Sequence, residues 1–217
     1  CNKSASMFRD LETQHGFVGG SKNEYIKYLS RKDIGYLWEW DLLSNVQAVA
    51  GMSVVLKKDL VSQRKLMMQC AANYVFSDPR PRAELGMAGG SALCRCFVPS
   101  DHMAVTSSDE DSAFTHVIVP RWMRAWCATP PLAAIEVWSL LPEPLKLQIS
   151  NPATTYVSAK YTRLAMGSSH SVYILMKINL HSVGRTLFEY NRHFLRLRQQ
   201  DHTSPVNTST HALDTDL

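Results

Sequence analysis

The clearest structural signal in this chain is VVLKKDLVSQRKLMMQCAAN, which spans Val54–Asn73. The residues from Val46 to Leu56 are rich in small and β-branched side chains, and a second apolar run, Arg64 to Gln69, follows the polar link from Lys57 to Gln63. Two such runs separated by a short polar link are typical of paired strands. We therefore predict a hairpin of two strands joined by a basic loop.

Two further stretches follow in the chain, Asp109-Glu-Asp-Ser-Ala-Phe114 and Leu164-Ala-Met-Gly167-Ser-Ser. Taken singly, each has an ordinary structural explanation. The first is a solvated acidic turn before the first core residue of a strand, and the second is a turn that opens a helix. The basic hairpin loop, likewise, is an ordinary charged turn. Their fixed order along the chain is the more specific signal.

In this order and spacing, the three stretches resemble the fingers and palm of reverse transcriptases, over a span from about Gly51 to about Leu187. In that family a pair of lysines, an arginine and an asparagine recur at the offsets of Lys57-Lys58, Arg64 and Asn73. The family also has an Asp-x-x-x-x-aromatic spacing and a Leu-Pro-x-Gly-x-x turn. The Trp-rich segment VPRWMRAWCATPPLAA is similar to one in divergent reverse-transcriptase-like reading frames of protists.

The resemblance implies an α+β fold of the right-hand polymerase type, with fingers and a palm whose antiparallel sheet packs on helices. It also implies RNA-directed DNA polymerase activity, with an RNA or DNA template-primer and dNTPs as partners and Mg²⁺ as cofactor. Such enzymes join a primer 3′-hydroxyl to the α-phosphate of a nucleotide on two magnesium ions. Carboxylates are the protein ligands that Mg²⁺ prefers.

Individual roles follow from the resemblance. Asp109 is the catalytic metal ligand, the backbone N–H groups of Ser112 and Ala113 face the triphosphate, and Phe114 lies under the sugar, where it selects deoxynucleotides. The cations for the incoming triphosphate are Lys57 and Arg64.

In the third stretch, the resemblance places Met166 and Gly167 beside the nucleotide. A glycine in this turn lets the backbone approach a base or sugar closely. Ala165 stands where the family usually has proline.

Other departures bear on activity. The family usually has an aspartate and an arginine where this chain has Met68 and Cys70, and its second metal site is a Tyr-x-Asp-Asp hairpin. The nearest counterpart here is Leu213-Asp214-Thr215-Asp216, in which Asp216 is the candidate second metal ligand. We therefore expect the polypeptide to be inactive as given. The alternatives are a non-catalytic nucleic-acid-binding or scaffold remnant (a pseudoenzyme) of a decayed retroelement polymerase, and a poorly folded pseudogene product.

The remaining sequence sets the expected organisation. Residues 1–50 are predicted as an N-terminal flank, 51–200 as incomplete fingers and palm, and 201–217 as a disordered tail rich in Ser and Thr. A strand is predicted over Ala113 to Val119, stopped by Pro120, and one long or two short helices over Ser169 to Arg198. The apolar run from Ala133 to Leu141 is too short to assign.

Composition narrows the class of protein. The chain has 217 residues, of which 45% are hydrophobic, and a formal net charge of +4. This is compatible with a nucleic-acid partner without being strongly basic. An odd count of five cysteines favours reduced thiols, so we expect a soluble protein of the nucleus or cytoplasm. No apolar run is long enough for a membrane span. Since the chain begins at Cys1, we expect an interior fragment of a longer reading frame.

Overall fold

The computed structural model describes residues 4–58, 60–61, 63–76 and 110–200, with the backbone alone for 193–200. The described α-helices are α1 (Ala5–His15), α2 (Lys22–Leu29), α3 (Cys70–Val75), α4 (Ala113–His116), α5 (Arg121–Arg124), α6 (Glu143–Lys146) and α7 (Ser171–Gln200). The strands are β1 (Trp38–Leu42), β2 (Gly51–Leu56), β3 (Gln63–Met68), β4 (Leu132–Ala133) and β5 (Tyr156–Tyr161). Short 3₁₀ helices cover Lys32–Leu37, Leu43–Asn45 and Ala134–Leu140. The α+β class with antiparallel sheets is confirmed.

The predicted hairpin is present as the antiparallel pair β2 and β3. Its register runs from Gly51 opposite Met68 to Leu56 opposite Gln63, so the connection is residues 57–62. Gln63, predicted in the link, begins β3, and β2 begins at Gly51 rather than at Val46. A second sheet has the strand order β1-β5-β4, in which Trp38 lies opposite Tyr161. Both pairs of this sheet are antiparallel.

The main core lies between these sheets and the helices of the N-terminal segment. Residues 1–50, predicted as a flank, contribute buried side chains to the same core as the hairpin and the three-stranded sheet: Tyr25, Leu29, Leu37 and Trp38 pack in one cluster with Met52, Met67, Val157 and Tyr161. The chain forms two compact units, Cys1–Met176 and Lys177–Leu217, and the division falls within α7.

The strand predicted over Ala113 to Val119 is wrong. Ala113–His116 form the short helix α4, and only Ile118 makes an isolated bridge, opposite Arg163. Ser112 has a φ of +53°, and its carbonyl accepts a hydrogen bond from the Thr115 N–H at 2.7 Å. The left-handed Ser112 starts a helical turn. The β-branched and aromatic residues that follow it are typical of a strand and do not indicate this turn.

The C-terminal apolar repeat forms the single helix α7, which settles the choice between one helix and two. The undecided run after Pro131 contains β4 and the 3₁₀ helix that follows it. None of the described helices combines the length and apolar content that crossing a bilayer requires. The predicted disordered tail, 201–217, and residues 77–109, whose first part is rich in Pro and Gly, lie outside the described residues.

Candidate functional site

The first and third stretches meet at Asn73. This residue lies in α3, which follows β3 directly, and its side-chain Nδ2 donates a hydrogen bond to the Gly167 carbonyl oxygen at 2.8 Å. The Ser169 N–H in turn donates to Asn73 Oδ1 at 2.9 Å. One amide group therefore fixes the base of the hairpin to the turn before α7, although 94 residues of sequence separate Asn73 from Gly167.

The turn itself depends on Gly167. Its φ is +116°, a conformation that side chains disfavour, and a Cβ added there would lie 2.7 Å from the Met67 carbonyl oxygen. The backbone at Gly167 therefore packs closely against strand β3 of the same chain, where a side chain would not fit. Ala165 is buried and its carbonyl accepts the Ser171 hydroxyl at 2.6 Å, whereas Met166 is exposed.

Removing the Asn73 side chain leaves a backbone carbonyl and a backbone N–H without their partners. We expect Asn73→Ala to lower the free energy of unfolding by about 1–3 kcal/mol. Urea denaturation is the measurement, with Asn23→Ala, an exposed position on α2, as the matched control that should change stability by less than about 0.5 kcal/mol. Equal effects of the two substitutions would show that the Asn73 bridge contributes nothing.

The second stretch packs beside the third. Phe114 is half-buried against a small cluster made by Val119, Met123 and Leu164. Backbone hydrogen bonds join the same segments, because the Leu164 N–H donates to the Val117 carbonyl at 2.9 Å. A core contact therefore accounts for the burial of Phe114, and its placement under a sugar stays a prediction.

Lys57 and Arg64 lie exposed at the far end of the hairpin from Asn73. Arg64 pairs with Val55 in the β2–β3 register, and Lys57 is the residue directly after β2. At the base of the hairpin, Met68 and Cys70 are half-buried. Neither side chain has a charge, so these two residues form no ion pair with each other.

Gln69 and Cys127 were missed by the sequence analysis. Gln69, between β3 and α3, is 3% exposed, and its Oε1 accepts a hydrogen bond from Cys127 Sγ at 3.5 Å. Burial raises the pKa of the Cys127 thiol to about 11, so this cysteine is an unreactive core residue at neutral pH. The pairing joins residues 58 apart in sequence, and no local pattern marks it.

A charged network on the three-stranded sheet was also missed. Lys160 on β5 is 8% exposed, and its Nζ lies 2.5 Å from Asp41 Oδ2 and 3.1 Å from Glu39 Oε1, both on β1. Arg124 reaches Glu39 at 2.5 Å and donates from Nε to the Val119 carbonyl. The network therefore ties the sheet to the segment that packs against Leu164.

The carboxylates of this network have lowered pKa values. Burial acts to raise the pKa of Asp41, but hydrogen bonds from Lys160 and Asn45 outweigh it, and the result lies below the ordinary 3.8. For Glu39, burial likewise raises the pKa, and the hydrogen bonds from Arg124 and Lys160 lower it below the ordinary 4.5. Both groups are therefore ionised at neutral pH and serve as structural partners of the two cations.

The predicted metal ligands Asp109 and Asp216 lie outside the described residues. Within the part of the chain that the structure describes, no group of three or more His, Cys, Asp or Glu side chains could hold a metal ion. The two carboxylates after Asp109, Glu110 and Asp111, are exposed.

Comparison of this chain with protein-family models, with curated proteins and with solved structures gave no match.

Proposed function

We propose that residues 51–200 of this chain form an incomplete reverse-transcriptase-like nucleotidyltransferase module, inactive as given, with fingers that include the β2–β3 hairpin and a palm that includes β4 and β5. Its partners are an RNA or DNA template-primer and dNTPs. The observation that carries the proposal is the double hydrogen bond of Asn73 to Gly167 and Ser169. The three stretches that carry the resemblance follow one another in the order that reverse transcriptases have. Contacts through Asn73 and Leu164 join these stretches in the folded chain.

In this proposal the exposed cations of the hairpin act on phosphate oxygens. Lys57 supplies a mobile point charge, and the guanidinium of Arg64 forks onto two oxygens. The N–H groups of Ser112 and Ala113 bind the triphosphate, and Phe114 excludes a 2′-hydroxyl. Met166, which is 45% exposed, and the Gly167 backbone contact the base or sugar.

Magnesium, when held by Asp109, supplies the charge that stabilises the attacking and leaving oxygens in such reactions. Asp216 is the proposed second ligand. Neither residue is among those described. The sequence resemblance supports the metal chemistry, and the packing of the three stretches supports the geometry.

A second candidate function is non-catalytic nucleic-acid binding by a remnant of such a polymerase. The neutral, half-buried Met68 and Cys70 favour it, because the fingers lack the ion pair that the family uses next to Arg64. This candidate keeps the contacts of Lys57 and Arg64 to phosphate and does not depend on Asp109.

The test is fluorescence anisotropy with a labelled primer-template over a range of salt concentrations. We expect binding that weakens with salt, and in Lys57→Gln/Arg64→Gln a slope of log K against log salt that is smaller by about 1.5, since each phosphate contact contributes about 0.7–0.9. Arg9→Gln, a charge removed from an exposed position of α1, is the single-charge control and should leave the slope nearly unchanged.

Primer extension with Mg²⁺ then separates the two candidates. The chain as given is expected not to extend a primer, so the assay uses Thr215→Asp, which restores the aspartate pair of the Leu213–Asp216 segment. Extension by Thr215→Asp that a further Asp109→Asn abolishes supports the polymerase, whereas binding without extension, unchanged in Asp109→Asn, supports the remnant. Binding with no salt dependence, or a double variant that behaves like Arg9→Gln, contradicts both.

A further inference from the structure

The part of α7 from residue 180 onward carries large apolar side chains that face water. Every residue from 180 to 192 is exposed. Four apolar side chains in this range, each between 46% and 65% exposed, are named here the α7 seam: Leu180, Val183, Leu187 and Tyr190. Contact of apolar surface with water is unfavourable, so a contiguous stripe of such side chains is typical of a surface that binds a partner.

The α7 seam follows a repeat of seven residues. Its members lie three, four and three residues apart. In the sequence this alternation continues back to Tyr173 and Met176 and forward to Phe194 and Leu197, so eight apolar positions follow it without a break. The backbone is helical over all of them, and helical positions at this spacing form one narrow stripe. This period is typical of a helix that packs along a second helix as a coiled coil.

The charges of this part of α7 lie away from the seam. Arg185 and Glu189 form an ion pair at 3.1 Å, and Arg192 follows Arg185 by seven residues. At 3.6 residues per turn, these three side chains lie on the side of the helix opposite the seam. The positions that flank the seam between residues 179 and 191 are uncharged, namely Asn179, Gly184, Thr186 and Asn191. The seam can therefore meet an identical seam without placing like charges side by side.

The sequence also indicates which helix fits the seam. No apolar run of comparable length at alternating spacings of three and four occurs in the sequence of residues 77–109 or 201–217, the two longer segments outside the described residues. A second copy of α7 carries the same apolar stripe with the same uncharged flanks. Two identical surfaces related by a two-fold axis form a self-complementary interface, which is the commonest arrangement of protein dimers.

We propose that α7 binds a second copy of this chain through its seam, as a two-helix coiled coil. From Leu180 to Leu197 the repeat is about 27 Å long, at 1.5 Å per residue. A stripe of that length and about 10 Å width is smaller than the roughly 800 Å² per partner of a standard interface. The dimer is therefore weak, with a dissociation constant in the micromolar range. The pairing uses none of the residues assigned to phosphate or metal binding.

Sedimentation equilibrium of the full chain tests the proposal, over concentrations from about 1 μM to about 200 μM, which bracket a micromolar dissociation constant. We expect the mass to rise from that of one chain towards that of two. In Leu187→Gln each dimer loses two seam leucines, so the dissociation constant should rise at least about tenfold. Because Leu187 is exposed in the single chain, the substitution is expected to leave the fold intact.

Phe188→Gln is the matched control. Phe188 is the next residue along α7 and is more exposed than Leu187, but it lies outside the seam. Its substitution should change the dissociation constant by less than about twofold, as is usual for a surface position away from a contact. Unspecific association of apolar surface would instead respond to Phe188→Gln at least as strongly as to Leu187→Gln. A mass of one chain at every concentration, assemblies larger than two chains, or equal effects of the two substitutions would overturn the proposal.

Discussion

Gly167→Ala is expected to lower the free energy of unfolding by about 2–4 kcal/mol. A positive φ imposed on a residue with a side chain costs about 1–3 kcal/mol, and here the new methyl group also meets the Met67 carbonyl at 2.7 Å. The turn can relieve that contact only by moving away from β3. Such a movement lengthens the hydrogen bonds that Asn73 makes to Gly167 and Ser169.

Gly184 provides the matched control for this substitution. It lies in α7, and a Cβ added there meets nothing within 4 Å. Gly184→Ala should therefore leave stability unchanged or raise it by up to about 1 kcal/mol, as alanine favours helix. Guanidinium denaturation of both variants measures the difference. Should Gly167→Ala be as stable as Gly184→Ala, the close contact with Met67 and the strained turn are not as described.

Lys160→Met is expected to cost about 1–3 kcal/mol, less than the loss of a fully buried pair, because Asp41 and Glu39 lose their shared cation but stay partly exposed and keep Asn45 and Arg124 as partners. Methionine keeps the length of the apolar stem, so the loss comes from the charge and not from a cavity. The matched control is Lys146→Met, which removes an ion pair to the 80%-exposed Glu143 and should cost less than about 1 kcal/mol.

The loss in Lys160→Met should depend on pH in a defined direction. Asp41 and Glu39 have folded-state pKa values below the ordinary 3.8 and 4.5, so their stabilisation is present above those values and disappears as the pH falls through the folded ones. In Lys160→Met, burial of Asp41 is left less compensated and its pKa rises. The stability difference between parent and variant should therefore be largest near neutral pH and shrink below about pH 4. A difference independent of pH would mean that the network is not ionised as described.

The hairpin could be predicted because its signal is local. Two runs of strand-forming residues flank a polar link, and they pair antiparallel on either side of it. The register was not predicted: folding back at the link Lys57 to Gln63 would place Leu56 opposite Arg64, whereas it lies opposite Gln63. The helix α4 could not, since it depends on the left-handed Ser112, and serine carries no strong preference for that conformation.

The candidate site, like the fold, could be predicted from the sequence only in part. The resemblance singled out Asn73 and Gly167 separately, but the hydrogen bond between them is a property of the folded chain. The Lys160 network joins β1 to β5 across 119 residues, and no spacing in the sequence indicates it. The two faces of β3, by contrast, can be read from the sequence, because the exposed Arg64 and Leu66 alternate with the less exposed Lys65 and Met67.

The alternation of β3 also determines where this chain tolerates added length. Extra residues placed in the link between Leu56 and Gln63 change only the loop, because the register from Gly51 to Met68 is set by the strands and by the Asn73 bridge at their base. A single residue inserted between Gln63 and Lys65 instead changes the pairing of β2 with β3 in one of two ways. Either the inserted residue bulges out, or the segment before it shifts by one place and its side chains exchange faces. For folding, the link is therefore the position for a tag or a loop graft, provided that Lys57 is kept, and the strand beside it is not.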